Sequence, residues 1–184
     1  MNTIGYEEER NCEVRYSDSD QPPCGYPDCI RCNVVRERIV SSAEMRVITL
    51  IVVHCSAVRP GQRSSAADIG LWHKQRGWKG IGYHYVVRRD GTIEFGRPIE
   101  EVGAHCYPHN RHSIGICYEG GLDANGIADG TRTTEQKRAM RQLLEELHGR
   151  FPKALIIGHR DLCPDRDCPC YDCIAEYRDL QPKL

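Results

Sequence analysis

Long apolar runs are missing from this 184-residue chain. Its most hydrophobic stretch, Val47 to Val53, is the length of a strand and falls far short of the ~20 residues that span a bilayer. No integral membrane segment is expected. The amino terminus, MNTIGYEEER, lacks a basic start, an apolar stretch and a small-residue cleavage site, so it does not read as a secretory signal. Synthesis in a reducing cytosol is the expectation that follows. Excess charge of one sign is also missing: 25 basic residues face 26 acidic ones, which argues against a general nucleic-acid binder. Phenylalanine and tryptophan number 2 each, and the 9 tyrosines supply most of the aromatic surface. No internal repeat of about 20–50 residues occurs, so a solenoid or propeller is not indicated.

Cysteine, by contrast, is abundant, with 11 in the chain. In a reducing compartment the default is free thiols or metal ligands rather than disulfides. An odd count leaves at least one thiol unpaired within the chain. The length supports one domain with a real core and no second large one. Residues 1–45 differ from the rest: they are polar, carry Cys12, Cys24, Cys29 and Cys32, and include the turn-rich run SDSDQPPCGYPDC. They read as an N-terminal extension in which VVRERIVSSAEM has a short helical pattern. The body is residues 46–184.

The body opens with VITLIVVH, short, β-branched and continuous, as a buried strand should be. Ser65 with Asp68 three residues on predicts the cap of a helix running to about Gln75, and Gly77 fits its end. In GIGYHYVVRRDGTIEFGR, two β-rich runs flank Asp90-Gly91, a hairpin signal. Alternation along that run puts Tyr83 and Tyr85 on one face and His84 on the other. SIGICYEG reads as another strand. Thr133 with Gln136 opens a helix whose Ala139, Leu143, Leu144 and Leu147 repeat at core-packing spacing. ALIIGH is a last buried strand. The order strand, helix, hairpin, strand, helix, strand predicts a single α/β domain: a central mixed sheet flanked by helices.

Two of these strands end in histidine, His54 and His159, and neighbouring strands would bring the two rings together. Zinc takes nitrogen and sulfur ligands, and a catalytic site uses three from protein. Cys168 follows His159 after eight residues, with Asp167 and Cys163 as rivals that spacing alone does not separate. The segment GHRDLCPDRDCPCYDC therefore reads three ways: a disulfide knot, a structural zinc clasp, or half of a catalytic metal site. For either histidine alone, an ordinary hydrogen-bonded side chain is the plainer reading.

The segments VVHCSA, WHKQRGWKGIGYHYVVRRDGTIEFGR, VGAHCYPHNRHSIGICYEGG, GHRDL and CPCYD follow one another in order. Together they resemble the zinc-dependent N-acetylmuramoyl-L-alanine amidases of the phage-lysozyme type, which share a fold with peptidoglycan-recognition proteins. The resemblance covers roughly residues 47 to 180. It implies a mixed sheet with one zinc in a groove, and hydrolysis of the amide between N-acetylmuramic acid and L-alanine in peptidoglycan. It places the metal ligands on His54, His159 and Cys168, a catalytic tyrosine on Tyr83 and a groove-lining histidine on His105. Many members carry lysine where this chain has Arg166, and arginine stays charged and cannot exchange a proton near neutral pH.

Tyr83 and Arg166 would then stabilise developing negative charge, against the alternatives of strand packing for Tyr83 and a surface ion pair with Asp165 or Asp167 for Arg166. His109 and His112 are groove or solvated-loop residues, and His84 belongs to the core or supports the site. Cys55 adjoins His54, yet alternation turns the two apart and spoils a thiol–imidazole dyad. Two CxxC pairs, Cys29/Cys32 and Cys170/Cys173, suggest a second, structural zinc, with disulfides or free thiols as the alternatives. A non-catalytic peptidoglycan-binding protein is the rival function, and a toxin or regulator using the same domain is a third. The expected partner is a muropeptide, acted on by a monomer at the cell wall after release or non-classical export.

Overall fold

A computed structural model describes residues 46–183. The helix pattern in VVRERIVSSAEM and the four N-terminal cysteines lie outside them. Strand β1 is Leu50–Cys55, so His54 is its penultimate residue. Helix α1, Ala66–Gln75, starts as its cap signal predicts. The Asp68 amide donates to the Ser65 hydroxyl at 3.1 Å and the Ser65 amide to the Asp68 carboxylate at 2.9 Å. This reciprocal pair satisfies two otherwise orphaned donors. Gly77 follows at φ 83, a left-handed conformation that glycine adopts without a Cβ penalty. Strands β2, Tyr85–Val87, and β3, Ile93–Phe95, form the hairpin around Asp90-Gly91. Strand β4 is Ser113–Tyr118. Helix α2, Thr134–Arg150, is capped by Thr133 and Gln136 in the same reciprocal way as α1. Strand β5, Leu155–Gly158, passes directly into a single turn, α3, His159–Leu162. A last short helix, α4, is Cys173–Glu176.

The five strands form one sheet in the order β3-β2-β4-β1-β5. Only β2 and β3 pair antiparallel, while β2·β4, β4·β1 and β1·β5 are parallel. The architecture is the mixed α/β sheet expected. β4 is the middle strand, and β1 lies between it and the edge strand β5, with Val52 facing Gly115 of β4 on one side and Ile157 of β5 on the other.

Alternation divides the sheet into unlike faces. On one, Ile51, Val53, Cys55, Tyr85, Val87, Ile114, Ile116, Tyr118 and Ile156 pack against Met140, Leu143, Leu144 and Leu147 of α2. Burying each of the larger aliphatics contributes about 1.5–3 kcal/mol. Ala139 of the expected stripe is only partly buried, and Met140 takes the central place instead. The other face has a smaller apolar patch of Ile69, Val86 and Cys117, edged by Trp72, Ile81 and Tyr83. Beside that patch β1 presents His54 rather than an aliphatic. No helix among the described residues is long and apolar enough to cross a membrane.

One expectation fails here. Tyr83 and Tyr85 do not share a face: Tyr85 belongs to the main core, whereas Tyr83 packs with Val86 and Cys117 on the opposite side. The alternation rule needs strand geometry, and the strand begins only at Tyr85. Residues 81–84 are irregular, so Tyr83 escapes the two-residue period.

Candidate functional site

The site lies on the less apolar face, at the carboxyl ends of β1 and β5, where parallel sheets commonly bind ligands. His54 is 1% exposed. His159 is the first residue after β5, and its ring centroid is 4.5 Å from that of His54. The loop after α3 turns back so that Cys168 Sγ comes within 3.9 Å of His54 Nδ1. The ligand atoms of His54, His159 and Cys168 all fall within 4.8 Å of one another. Asp167 is exposed and outside this group, while Cys163 approaches His159 together with Cys106 instead.

Three contacts bring the thiol there. Gly158 has no Cβ, and one built on it would stand 2.6 Å from Pro169 Cδ. The proline ring therefore packs directly on the end of β5. Tyr118 of β4 donates from its buried hydroxyl to the Pro169 carbonyl at 2.7 Å. The Arg160 amide donates to the Cys168 carbonyl at 2.6 Å. The sulfur in turn accepts the Cys55 amide at 3.2 Å. That donor is free because parallel ladders alternate sides. Ser56 N–H goes to β4, to the Tyr118 carbonyl, and Cys55 N–H points toward β5, which has already ended.

His54 is held from its other nitrogen. His54 Nε2 lies 3.1 Å from His105 Nδ1, and His105 Nε2 lies 3.3 Å from Ser113 Oγ. The Ser113 hydroxyl donates to the His109 carbonyl at 2.8 Å, so its oxygen is left to accept from His105. One tautomer pattern fits the chain: His54 donates from Nε2 to His105 Nδ1, and His105 donates from Nε2 to Ser113. It leaves the His54 Nδ1 lone pair aimed toward Cys168. Gly115 makes the room, since a Cβ there would stand 2.5 Å from the His105 ring. Gly103 does the same from the other side, at 2.6 Å.

Electrostatics keep these imidazoles uncharged. Burial first, then neighbouring His105, His159 and Arg166, hold the His54 pKa well below its ordinary value. Burial and Arg166 lower that of His159. Neutral imidazoles with free lone pairs and one thiol form the donor set that zinc prefers, so the residues fit a zinc ion.

Tyr83 completes the cluster, its ring centroid 5.1 Å from that of His54. Burial, and then the thiols of Cys117, Cys168 and Cys55, push its pKa well up, so the phenol keeps its proton and can donate. Behind it, His73 Nδ1 accepts the Gly82 amide at 3.0 Å and fixes the irregular segment. Sequence reasoning missed His73, although it lies in the same WHKQRGWKGIGYHY run. Arg166 is exposed and, among the described residues, pairs with neither Asp165 nor Asp167. Its charge is close enough to disfavour protonation of His54 and His159.

The remaining candidates are less central. His84 is buried: its Nδ1 accepts the Gly115 amide at 2.9 Å, so its Nε2–H donates to the Glu101 carbonyl at 3.1 Å. His109 and His112 contact each other on a short turn, at 3.3 Å. Cys55 points into the core, away from His54, as expected. The cysteines of the described residues are all free thiols. A second zinc on Cys29, Cys32, Cys170 and Cys173 finds no support. The first two lie outside the described residues, Cys170 donates to the Gly121 carbonyl at 3.2 Å, and Cys173 is fully buried in the core at the start of α4.

The family model described as N-acetylmuramoyl-L-alanine amidase matches residues 44–171. The endolysin of Enterobacteria phage K11 is 42% identical over 120 residues, covering 65% of this chain and 79% of that protein. The amidase LysC from Clostridium intestinale superposes with a TM-score of 0.61 at 30% identity, covering 71% of this chain and 81% of that one. Drosophila PGRP-LB does so with a TM-score of 0.58 at 26% identity, covering 71% and 79%. A mixed sheet bearing two histidines and a cysteine at its carboxyl edge, matched across most of its length, settles the assignment: the chain belongs to the N-acetylmuramoyl-L-alanine amidase family and hydrolyses peptidoglycan.

Proposed function

We propose that the amidase centre is a zinc ion held by His54, His159 and Cys168, with Tyr83 and Arg166 as the residues that stabilise charge on the reacting amide. The observation that carries this reading is the convergence of those three ligand atoms within 4.8 Å, beside the Tyr83 ring. Bound there, zinc supplies a Lewis acid for the scissile carbonyl and acidifies water to a pKa of about 7. Tyr83, partly buried among apolar side chains and protonated, donates a hydrogen bond to the oxygen on which charge develops. Arg166, exposed at the rim, adds a fixed positive charge there and moves no proton. Cys55 N–H donates to the Cys168 sulfur and orients it. His105 acts through His54: it fixes that ring's tautomer and direction.

The substrate is the amide joining the lactyl group of N-acetylmuramic acid to L-alanine, in the wall rather than in the cytosol. The amidase domain is residues 46–184, acting as a single chain, and residues 1–45 are an extension to it. The test is incubation of purified protein with peptidoglycan. Free stem peptides with a new L-alanine amino terminus are expected, and chelation or Cys168→Ser should abolish them. New reducing sugar ends would mean glycosidase chemistry and would overturn the assignment.

A further inference from the structure

Two thiols beside the centre take no part in the chemistry above. Cys106 follows His105 and is 3% exposed. Its backbone is tied down: its amide donates to Asn110 Oδ1 at 2.8 Å, and its carbonyl accepts from the His109 amide at 2.8 Å. Cys163 comes four residues after His159, and its amide donates to the His159 carbonyl at 2.9 Å. This helical spacing sets imidazole and thiol on the same side of one turn. The ligand atoms of Cys106, His159 and Cys163 lie within 4.8 Å of one another.

We propose that Cys106, His159 and Cys163 form a second metal position, for a thiophilic divalent ion of the zinc and cadmium kind, that shares His159 with the amidase set. Two sulfurs and one imidazole are soft donors in a number that zinc accepts in tetrahedral sites. Two thiolates cancel a divalent charge, whereas the amidase set, with one thiolate, leaves a net positive ion. An ion held at the second position engages the imidazole the amidase set needs, so metal beyond the catalytic equivalent inhibits. Only this inhibition rests on the catalytic reading above.

Cobalt(II) is the probe, added to the full chain in a non-thiol reductant. The Cys168→Ser protein, which lacks the amidase thiolate, should keep a near-ultraviolet thiolate-to-cobalt absorption. Replacing Cys106 and Cys163 by serine in that background should remove it. No such absorption in reduced Cys168→Ser, or the same absorption after both replacements, overturns the proposal. If the triple variant fails to fold, Cys163→Ser in the Cys168→Ser background suffices, because Cys163 is only partly buried; the absorption should fall at least twofold. In a cleavage assay, several-fold excess zinc should inhibit the wild type and spare Cys163→Ser, and equal inhibition of both counts against the shared histidine. Failure of the catalytic reading looks different: Cys168→Ser would still cleave peptidoglycan.

Discussion

Replacing His105 by phenylalanine isolates the hydrogen bond between the two histidine rings. Phenylalanine keeps an aromatic ring over Gly115, where a Cβ would already stand 2.5 Å from the His105 side chain, so the packing space stays filled. What is lost is the Nδ1 acceptor 3.1 Å from His54 Nε2, and with it the link to Ser113. His54 can then rotate or hold its proton on the nitrogen that should face the metal. Removing an outer hydrogen bond from a metal-bound histidine typically costs 10- to 100-fold in metal affinity. That corresponds to about 1.4–2.7 kcal/mol. The assay is competition for zinc between apo-protein and a chelator of known affinity, followed at constant pH. Ser113→Ala, one link further out, should show a smaller loss in the same direction. Zinc affinity within twofold of wild type for His105→Phe, with KM alone raised, would refute the positioning role and restore His105 to the substrate groove.

Tyr83→Phe should lower peptidoglycan cleavage by roughly 100- to 1,000-fold, with zinc content and thermal stability unchanged; an enzyme within tenfold of wild type would remove Tyr83 from the chemistry. Gly158→Ala places a methyl 2.6 Å from Pro169 Cδ, so denaturant midpoints should show a loss on the order of 1–3 kcal/mol and chelator competition a weaker site. His84 is held to about 4 in the folded protein, chiefly by burial, against about 6.5 unfolded. Below pH 6.5 the unfolded chain therefore binds the extra proton, and stability falls until about pH 4, by on the order of 3 kcal/mol. Urea unfolding of zinc-free protein across that range should show this slope reduced in His84→Gln, and an unchanged slope would contradict it.

Strands and helix starts were legible because their signals are local. Ser65–Asp68 and Thr133–Gln136 each satisfy their own amides within four residues, and VITLIVVH has one way to hide its side chains. The meeting of His54, His159 and Cys168 was legible through family resemblance and the strand-then-histidine pattern, with Cys163 and Asp167 undecided on spacing alone. Three things were not legible. Tyr83 changes face because its segment is irregular, which alternation cannot anticipate. Gly103 and Gly115 matter through the ring that fills their missing Cβ volume, and a glycine's sequence context does not name its distant neighbour. The Cys55 amide became a donor to sulfur only because β5 stops at Gly158, a matter of relative strand length.

The placing of β1 between two paired strands has a consequence for how the ion would leave. His54 sits on a strand laddered on both flanks, so its backbone should exchange amide hydrogens only when the whole sheet comes apart. His159 and Cys168 ride instead on the turn and loop beyond β5, whose lifting breaks the Arg160 and Tyr118 contacts without touching the sheet. Metal escape should thus be a fast, local event with the protein otherwise intact, and its rate should respond to loop substitutions far more than to denaturant.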